Sequence, residues 1–189
     1  MPDSFNLKGE NSIQRVVVWA TVLIIIVADQ ISKYAVKSGM NLYESRRIIG
    51  DFFKLTYIEN PGMAFGIQFE NKFLFTFLSI FAAALVLIYL IRLPDERFLF
   101  KTSLALILGG AIGNLIDRII FGRVVDFFDV EFFDITIPSF SLLFINFPGY
   151  GLTRWPVFNI ADSAVTCGML LITWAILFQK EPEKIESSS

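Results

Sequence analysis

Residues 16–28 read Val16-Val17-Val18-Trp19-Ala20-Thr21-Val22-Leu23-Ile24-Ile25-Ile26-Val27-Ala28, and the chain runs on without a break into Asp29-Gln30-Ile31-Ser32-Lys33. The first half is apolar all round, as a helix in lipid must be. The second half carries two charges where hydrocarbon should follow. A membrane span needs about 20 mainly apolar residues, so the predicted helix, roughly 16–36, has to include those charges. No small-x-small cleavage site follows the apolar run, so the segment reads as a retained span and not as a cleavable signal peptide. Three more stretches qualify: 73–91, free of charge between Lys72 and Arg92; 98–120; and 157–178, which contains Asp162.

Composition agrees. Of 189 residues, 54% are hydrophobic and the mean hydropathy is +0.61, above the range of soluble domains. A net charge of −2 gives no reason to expect nucleic acid. With no histidine, Ser-His and Cys-His nucleophile pairs and His-based metal sites are excluded together. The single cysteine, Cys167, can form no internal disulfide and is expected to serve helix packing. The expected organisation is one integral-membrane domain over 1–180 and a polar tail over 181–189.

Four spans place both termini on one side, and segments 37–72 and 122–156 on the other. With Lys101, at the start of span three, counted among the flanking charges, lysines and arginines number seven on each side, so the positive-inside rule does not orient the chain. Topology nevertheless gathers the intramembrane polar residues at one end. Asp29 and Lys33 lie where span one exits. Asn114, Asp117 and Arg118 lie where span three exits, with Asp126 just beyond. Asn159 and Asp162 lie where span four enters, Asp162 about 5 residues in and so ~8 Å deep. Charges in hydrocarbon cost at least ~2.5–3.5 kcal/mol each on insertion scales and normally mark partners or function.

Asp29 and Lys33, at i and i+4, read as a mutual ion pair at the interface. Asp117 with Arg118 reads as a structural clamp. Ala105, Gly109 and Gly113 form a small-residue ridge on which another helix can pack closely. Asp126 and Asp162 differ: each has apolar neighbours and neither has a basic residue at helical spacing. Two desolvated carboxyls brought together share a proton, the aspartic-protease arrangement; two separately satisfied polar residues remain the alternative. Between spans one and two, Lys54 to Ile58 reads as a strand, Asn60-Pro61-Gly62 as a turn and Met63 to Phe69 as the returning strand of a hairpin. It must lie outside the hydrocarbon, because its edges would be unsatisfied there.

Four segments, in order, resemble lipoprotein signal peptidase (signal peptidase II). They are Asp29-Gln30-Ile31-Ser32-Lys33; Asn60-Pro61-Gly62-Met63-Ala64-Phe65-Gly66; Gly110-Ala111-Ile112-Gly113-Asn114-Leu115-Ile116-Asp117-Arg118, continuing to Gly122 and Val125-Asp126-Phe127; and Phe158-Asn159-Ile160-Ala161-Asp162-Ser163. The resemblance covers nearly the whole chain. It implies an all-α membrane protein of four transmembrane helices, with a small extracytoplasmic β-hairpin or sheet region between helices 1 and 2 and an extended loop between helices 3 and 4. It implies catalytic aspartates at Asp126 and Asp162, and substrate-binding or supporting roles for Asp29, Lys33, Asn60, Gly66, Asn114, Asp117, Arg118, Asn159 and Ala161.

The implied activity is an aspartic endopeptidase that removes signal peptides from prolipoproteins before a diacylglyceryl-modified cysteine. It needs no metal and no cofactor, and it is blocked by globomycin. The implied setting is the bacterial cytoplasmic (inner) membrane, both termini cytoplasmic and the site near the outer leaflet. Membrane lipid and lipid-modified precursors are the expected partners, and the protein is expected to be a monomer. The stretch between Asp126 and Asp162 departs from the family in length: an aromatic-rich segment, Phe132 through Gly151, is expected to pack over the site or dip into the interface.

Three other readings compete. A proton-coupled small transporter would spread polar groups through the membrane thickness, whereas here they sit at one end. A presenilin-like protease would carry Gly-x-Gly-Asp, which is absent. A structural or assembly factor has no use for two unpaired, apolar-flanked aspartates.

Overall fold

The computed structural model describes residues 4–61, 63–64, 67–68, 72–95, 97–131, 135–142, 145–147, 150–152 and 154–178. Gly66 and the 181–189 tail lie outside them. Four helices are long and apolar enough to cross a membrane: α1 (Ser4–Gly39), α2 (Lys72–Arg92), α3 (Phe98–Phe121) and α4 (Ile160–Phe178). α1 runs longer than the apolar pattern predicts at both ends. α4 starts three residues later, because Asn159 caps it.

Of the α2 span only 11% is buried, against 44% for α3, so α3 is the central helix and α2 flanks it. The glycines of α3 explain how. A Cβ on Gly110 would lie 2.3 Å from the Ala161 carbonyl oxygen of α4, and one on Gly113 would lie 2.7 Å from Asp29 Oδ2 of α1. Only hydrogen fits at either position. The predicted ridge is thus real, with Gly109 and Gly113 against α1, while Gly110, outside it, lets α4 approach. The outward faces are apolar, with residues such as Leu23, Phe77, Ile119 and Leu177 exposed, as lipid-facing surfaces are. Cys167 also lies on an exposed face, not in the helix packing expected for it.

The expected small sheet region beside the helices is present, with more strands than the sequence suggests. A three-stranded antiparallel sheet of order β1-β2-β5 sits beside the helix ends, built from β1 (Ser45–Ile49), β2 (Phe53–Asn60) and β5 (Val124–Val130). The predicted hairpin of β2 with 63–69 is not seen among the described residues. Among the described residues β2 pairs with β1 and β5, while β3 (Met63–Ala64) pairs with β4 (Ile67–Gln68). Asn60 is therefore the last residue of a strand. The supposed loop between α3 and α4 is β5 plus nested antiparallel ladders: β6 (Ile135–Ile137) with β9 (Tyr150–Leu152), and β7 (Phe140–Leu142) with β8 (Ile145–Phe147). At the root of this arm Arg154 Nε donates to Asp129 Oδ1 at 2.8 Å and also bonds Glu131.

Candidate active site

Gly122 ends α3 in the left-handed conformation, φ 69°, its N–H donating to the Arg118 carbonyl. That reversal costs a residue with a Cβ roughly 1 kcal/mol, and it starts β5 two residues later. β5 is buried along nearly its whole length, because β2 covers one edge and Phe158 bridges the other. Asp126 is 2% exposed.

A β-bulge decides what Asp126 meets. Leu55 pairs with Phe128 but Ile58 pairs with Asp126, so two residues of β2, Thr56 and Tyr57, oppose the single Phe127. A regular ladder would set Tyr57 opposite Asp126 and turn Asn60 to the other face, since a one-residue slip flips every side chain. The extra residue puts Ile58 and Asn60 on the face of Asp126, in keeping with the position of bulges beside functional sites. Asn60 Nδ2 lies 3.2 Å from Asp126 Oδ2.

Asp162 is fixed by the start of α4. Asn159 Oδ1 accepts from the Asp162 N–H at 2.9 Å, and Asp162 Oδ2 accepts from the Asn159 N–H at 3.3 Å. The two residues form a capping box, with Asp at the acidic position. Asp162 Oδ1 accepts from Asn114 Nδ2 at 2.8 Å. Asn159, fully buried, also reaches the other carboxylate: its Nδ2 lies 2.7 Å from Asp126 Oδ1. One residue therefore donates to both aspartates, by its side chain to Asp126 and by its backbone to Asp162. Burial first, and the Asp162 charge second, push the Asp126 carboxyl up to about 7.

Beneath them lies an ionic core. Lys33 Nζ is 2.8 Å from Asp29 Oδ2, 3.1 Å from Asp117 Oδ2 and 2.8 Å from Asn114 Oδ1. Lys33, Asp29 and Asp117 are all at most 3% exposed. The Asp29–Lys33 pair exists, then, but as part of a buried three-span cluster and not as an interfacial pair. Asp29 Oδ1 also accepts the Ala161 N–H at 3.0 Å, satisfying an orphan donor of α4 at the end of the helix that favours negative charge. Asp117 Oδ2 accepts the Val125 N–H at 3.1 Å, tying β5 to α3.

The expected Asp117–Arg118 clamp is absent. Adjacent residues on a helix point about 100° apart. Asp117 turns to α1, while the Arg118 guanidinium lies 4.7 Å from the Phe75 ring centre on α2. The Arg118 Nε is buried without a hydrogen-bond partner among the described residues. Gln30 was not foreseen: its Nε2 is 3.1 Å from Asp29 Oδ2, the Gly113 carbonyl and Asp117 Oδ1 alike. An amide set among apolar residues in a span was the available signal.

Comparison with known proteins places the chain in a family. The family profile described as "Signal peptidase (SPase) II" matches residues 21–178. The lipoprotein signal peptidase of Moorella thermoacetica is 39% identical, over 82% of this chain and 89% of its own. That of Halothermothrix orenii is 38% identical, over 89% and 98%. A solved bacterial membrane enzyme, obtained by the in meso method at 2.3 Å, superposes with a TM-score of 0.70 at 27% identity, over 89% of this chain and 94% of its own. The chain is a multi-pass membrane protein and belongs to the signal peptidase II family.

Proposed function

We propose that this chain is a membrane-embedded aspartic endopeptidase that removes signal peptides from prolipoproteins, with Asp126 and Asp162 as its catalytic pair. The observation that carries the assignment is the shared donor: Asn159 holds both carboxylates through two of its own N–H groups. The ion-paired aspartates, Asp29 and Asp117, already have Lys33 as counter-ion and are unsuited to proton transfer.

In this reading one proton belongs to the pair. Burial first, and the Asp162 charge second, raise the Asp126 carboxyl, which favours leaving that proton on Asp126. Asp162 then takes a proton from a water as it attacks the scissile carbonyl, and Asp126 gives its proton to the carbonyl oxygen. When the tetrahedral intermediate collapses, Asp162 gives its proton to the leaving amine while Asp126 takes one back from a hydroxyl of the intermediate, and the pair returns to its starting state. The scissile bond precedes the diacylglyceryl-modified cysteine of the precursor. Arg118, whose Nε has no partner among the described residues, is suited to hold a substrate carbonyl, and Asn60 to hold Asp126 against β2.

The setting follows from the same resemblance: a monomer in the bacterial cytoplasmic membrane, both termini cytoplasmic and the pair near the outer leaflet. The transporter alternative gains no support, since the relatives that match are named as signal peptidases. The test is cleavage of a diacylglyceryl-modified precursor by the pure protein in detergent. The expected result is release of the signal peptide from the modified precursor and not from an unmodified one; cleavage of neither would reject the assignment.

A further inference from the structure

The opposite end of the bundle holds a second polar feature that the peptidase chemistry does not use. The start of α1, the end of α2 and the turn into α3 enclose a cleft of about 380 Å³ lined by Arg15, Trp19, Ile91, Asp95 and Lys101, among others. Arg15 Nε and Nη2 donate to Asp95 Oδ2 at 2.9 and 2.5 Å, and Lys101 Nζ bonds Asp95 Oδ1. Arg15 first, then Lys101, holds the Asp95 carboxyl down at about 2, so it is ionised throughout the working range of any membrane protein. Two cations against one anion leave one net positive charge in the cleft. The Arg15 side chain is 67% exposed while Lys101 and Asp95 are each 11% exposed. The buried pair thus fixes a guanidinium whose Nη1 edge makes no bond among the described residues.

Depth and shape identify what such a cleft takes. Arg15 lies in the first turn of one span and Ile91 in the last turn of another, so the cations sit at headgroup level. Trp19 is one turn further in, ~6 Å at 1.5 Å per residue, and it is 47% exposed beside an Ile91 that is 64% exposed. An indole at that depth suits the boundary between headgroup and acyl chain. Basic pockets between spans at the membrane surface are a recurrent form of anionic-lipid site.

We propose that this cleft binds one anionic phospholipid, its phosphate on the Arg15 guanidinium with Lys101 behind, and its acyl chain along Trp19 and Ile91. Asp95 opposes the phosphate directly and limits the affinity. The site is separate from the peptidase centre and independent of that assignment.

Native mass spectrometry of the full chain in detergent, titrated with phosphatidylglycerol and with phosphatidylcholine, tests it. The expected result is one phosphatidylglycerol retained several-fold more tightly than phosphatidylcholine. Arg15→Gln with Lys101→Gln should bring the two lipids level, while Asp95→Asn, which keeps both cations, should tighten phosphatidylglycerol further. Equal retention of the two lipids by the unaltered protein overturns the proposal. So does Asp95→Asn binding phosphatidylglycerol no better, a variant that keeps the test alive should the double substitution not fold. Displacement of the lipid by inorganic phosphate would make the cleft a small-anion site and overturn the lipid assignment.

Discussion

Lys33 Nζ lies 2.8 Å from Asn114 Oδ1, and this contact fixes which way the Asn114 amide faces. With its oxygen held by an ammonium, Asn114 must present its NH2 to Asp162, which it does at 2.8 Å. Lys33 therefore reaches the active pair through a neutral relay while neutralising Asp29 and Asp117 directly. Lys33→Met keeps the side-chain bulk but leaves two buried carboxylates without a counter-ion. Breaking a buried pair in this way costs ~3–5 kcal/mol. Thermal unfolding in detergent should show a clearly lowered midpoint, together with loss of cleavage; an unchanged midpoint would contradict the ionic-core account.

The pH dependence has a defined sign. Asp126 titrates near 4 in an unfolded chain and is raised to about 7 here, chiefly by burial. Its contribution to stability is complete below pH about 4 and is lost as pH rises through about 7. The same proton is needed for catalysis, so the cleavage rate at low substrate should fall on the alkaline side with a midpoint near 7. A rate that stays level from pH 6 to pH 9 would mean that the pair does not share a proton in this range.

The bulge in β2 predicts a role for Asn60 that turn chemistry alone does not. Because Thr56 and Tyr57 together oppose Phe127, Asn60 faces Asp126 and donates to it at 3.2 Å. Asn60→Ala should fold, since the strand pairing is backbone, yet cleave about tenfold more slowly, on the scale of one hydrogen bond to a charged group. The alkaline midpoint should also rise, because a donor that favours the ionised form is gone. Unaltered rate and midpoint would return Asn60 to a purely local role.

The order and span of the helices were legible in the sequence because lipid imposes a length and a composition on each of them. So was the gathering of the polar residues at one end, which follows from threading alone. The sheet was not. Val124-Val125-Asp126-Phe127-Phe128-Asp129-Val130 has five β-branched or aromatic residues in seven, but its partner β2 lies more than sixty residues away. No local pattern names a partner at that distance, so β2 looked like half of a hairpin with the segment that follows it. The charge pairing failed for a related reason. Asp117 and Arg118 are adjacent in the chain, but adjacency on a helix separates side chains, and the cation that Asp117 uses comes from α1. Asn159 was legible as a motif residue but not as the common donor, since that role depends on Phe158 bridging to β5.

The flanking basic residues tie at seven on either side, so the proposed orientation rests on the family resemblance. With both termini in the cytoplasm, a reporter fused after Ser189 should be active when it requires the cytoplasm and silent when it requires export. Activity of the exported reporter at that position would invert the protein and put the aspartates near the inner leaflet.

The aspartate pair makes the most direct prediction. Asp126 sits on β5 and Asp162 in the first turn of α4, and what joins them is Asn159 together with the Phe128–Phe158 bridge. Asparagine at either position keeps the volume and can still accept a hydrogen bond at its oxygen, so packing around Asn60, Asn114 and Asn159 should survive. It can neither take up nor release the proton. General acid and general base contributions of ~10²–10⁴-fold each set the expected loss, so Asp126→Asn and Asp162→Asn should each yield a folded, membrane-inserted protein with almost no cleavage of the lipid-modified precursor. The double variant should be little worse than either single one, because groups that act as a unit are not additive. Asp29→Asn and Asp117→Asn provide the contrast: each loosens the Lys33 core, so each should lower the unfolding midpoint, which the dyad variants should leave near that of the unaltered protein. Should Asp126→Asn or Asp162→Asn cleave at near the original rate, that residue is not part of the catalytic pair; should both do so, the site lies elsewhere.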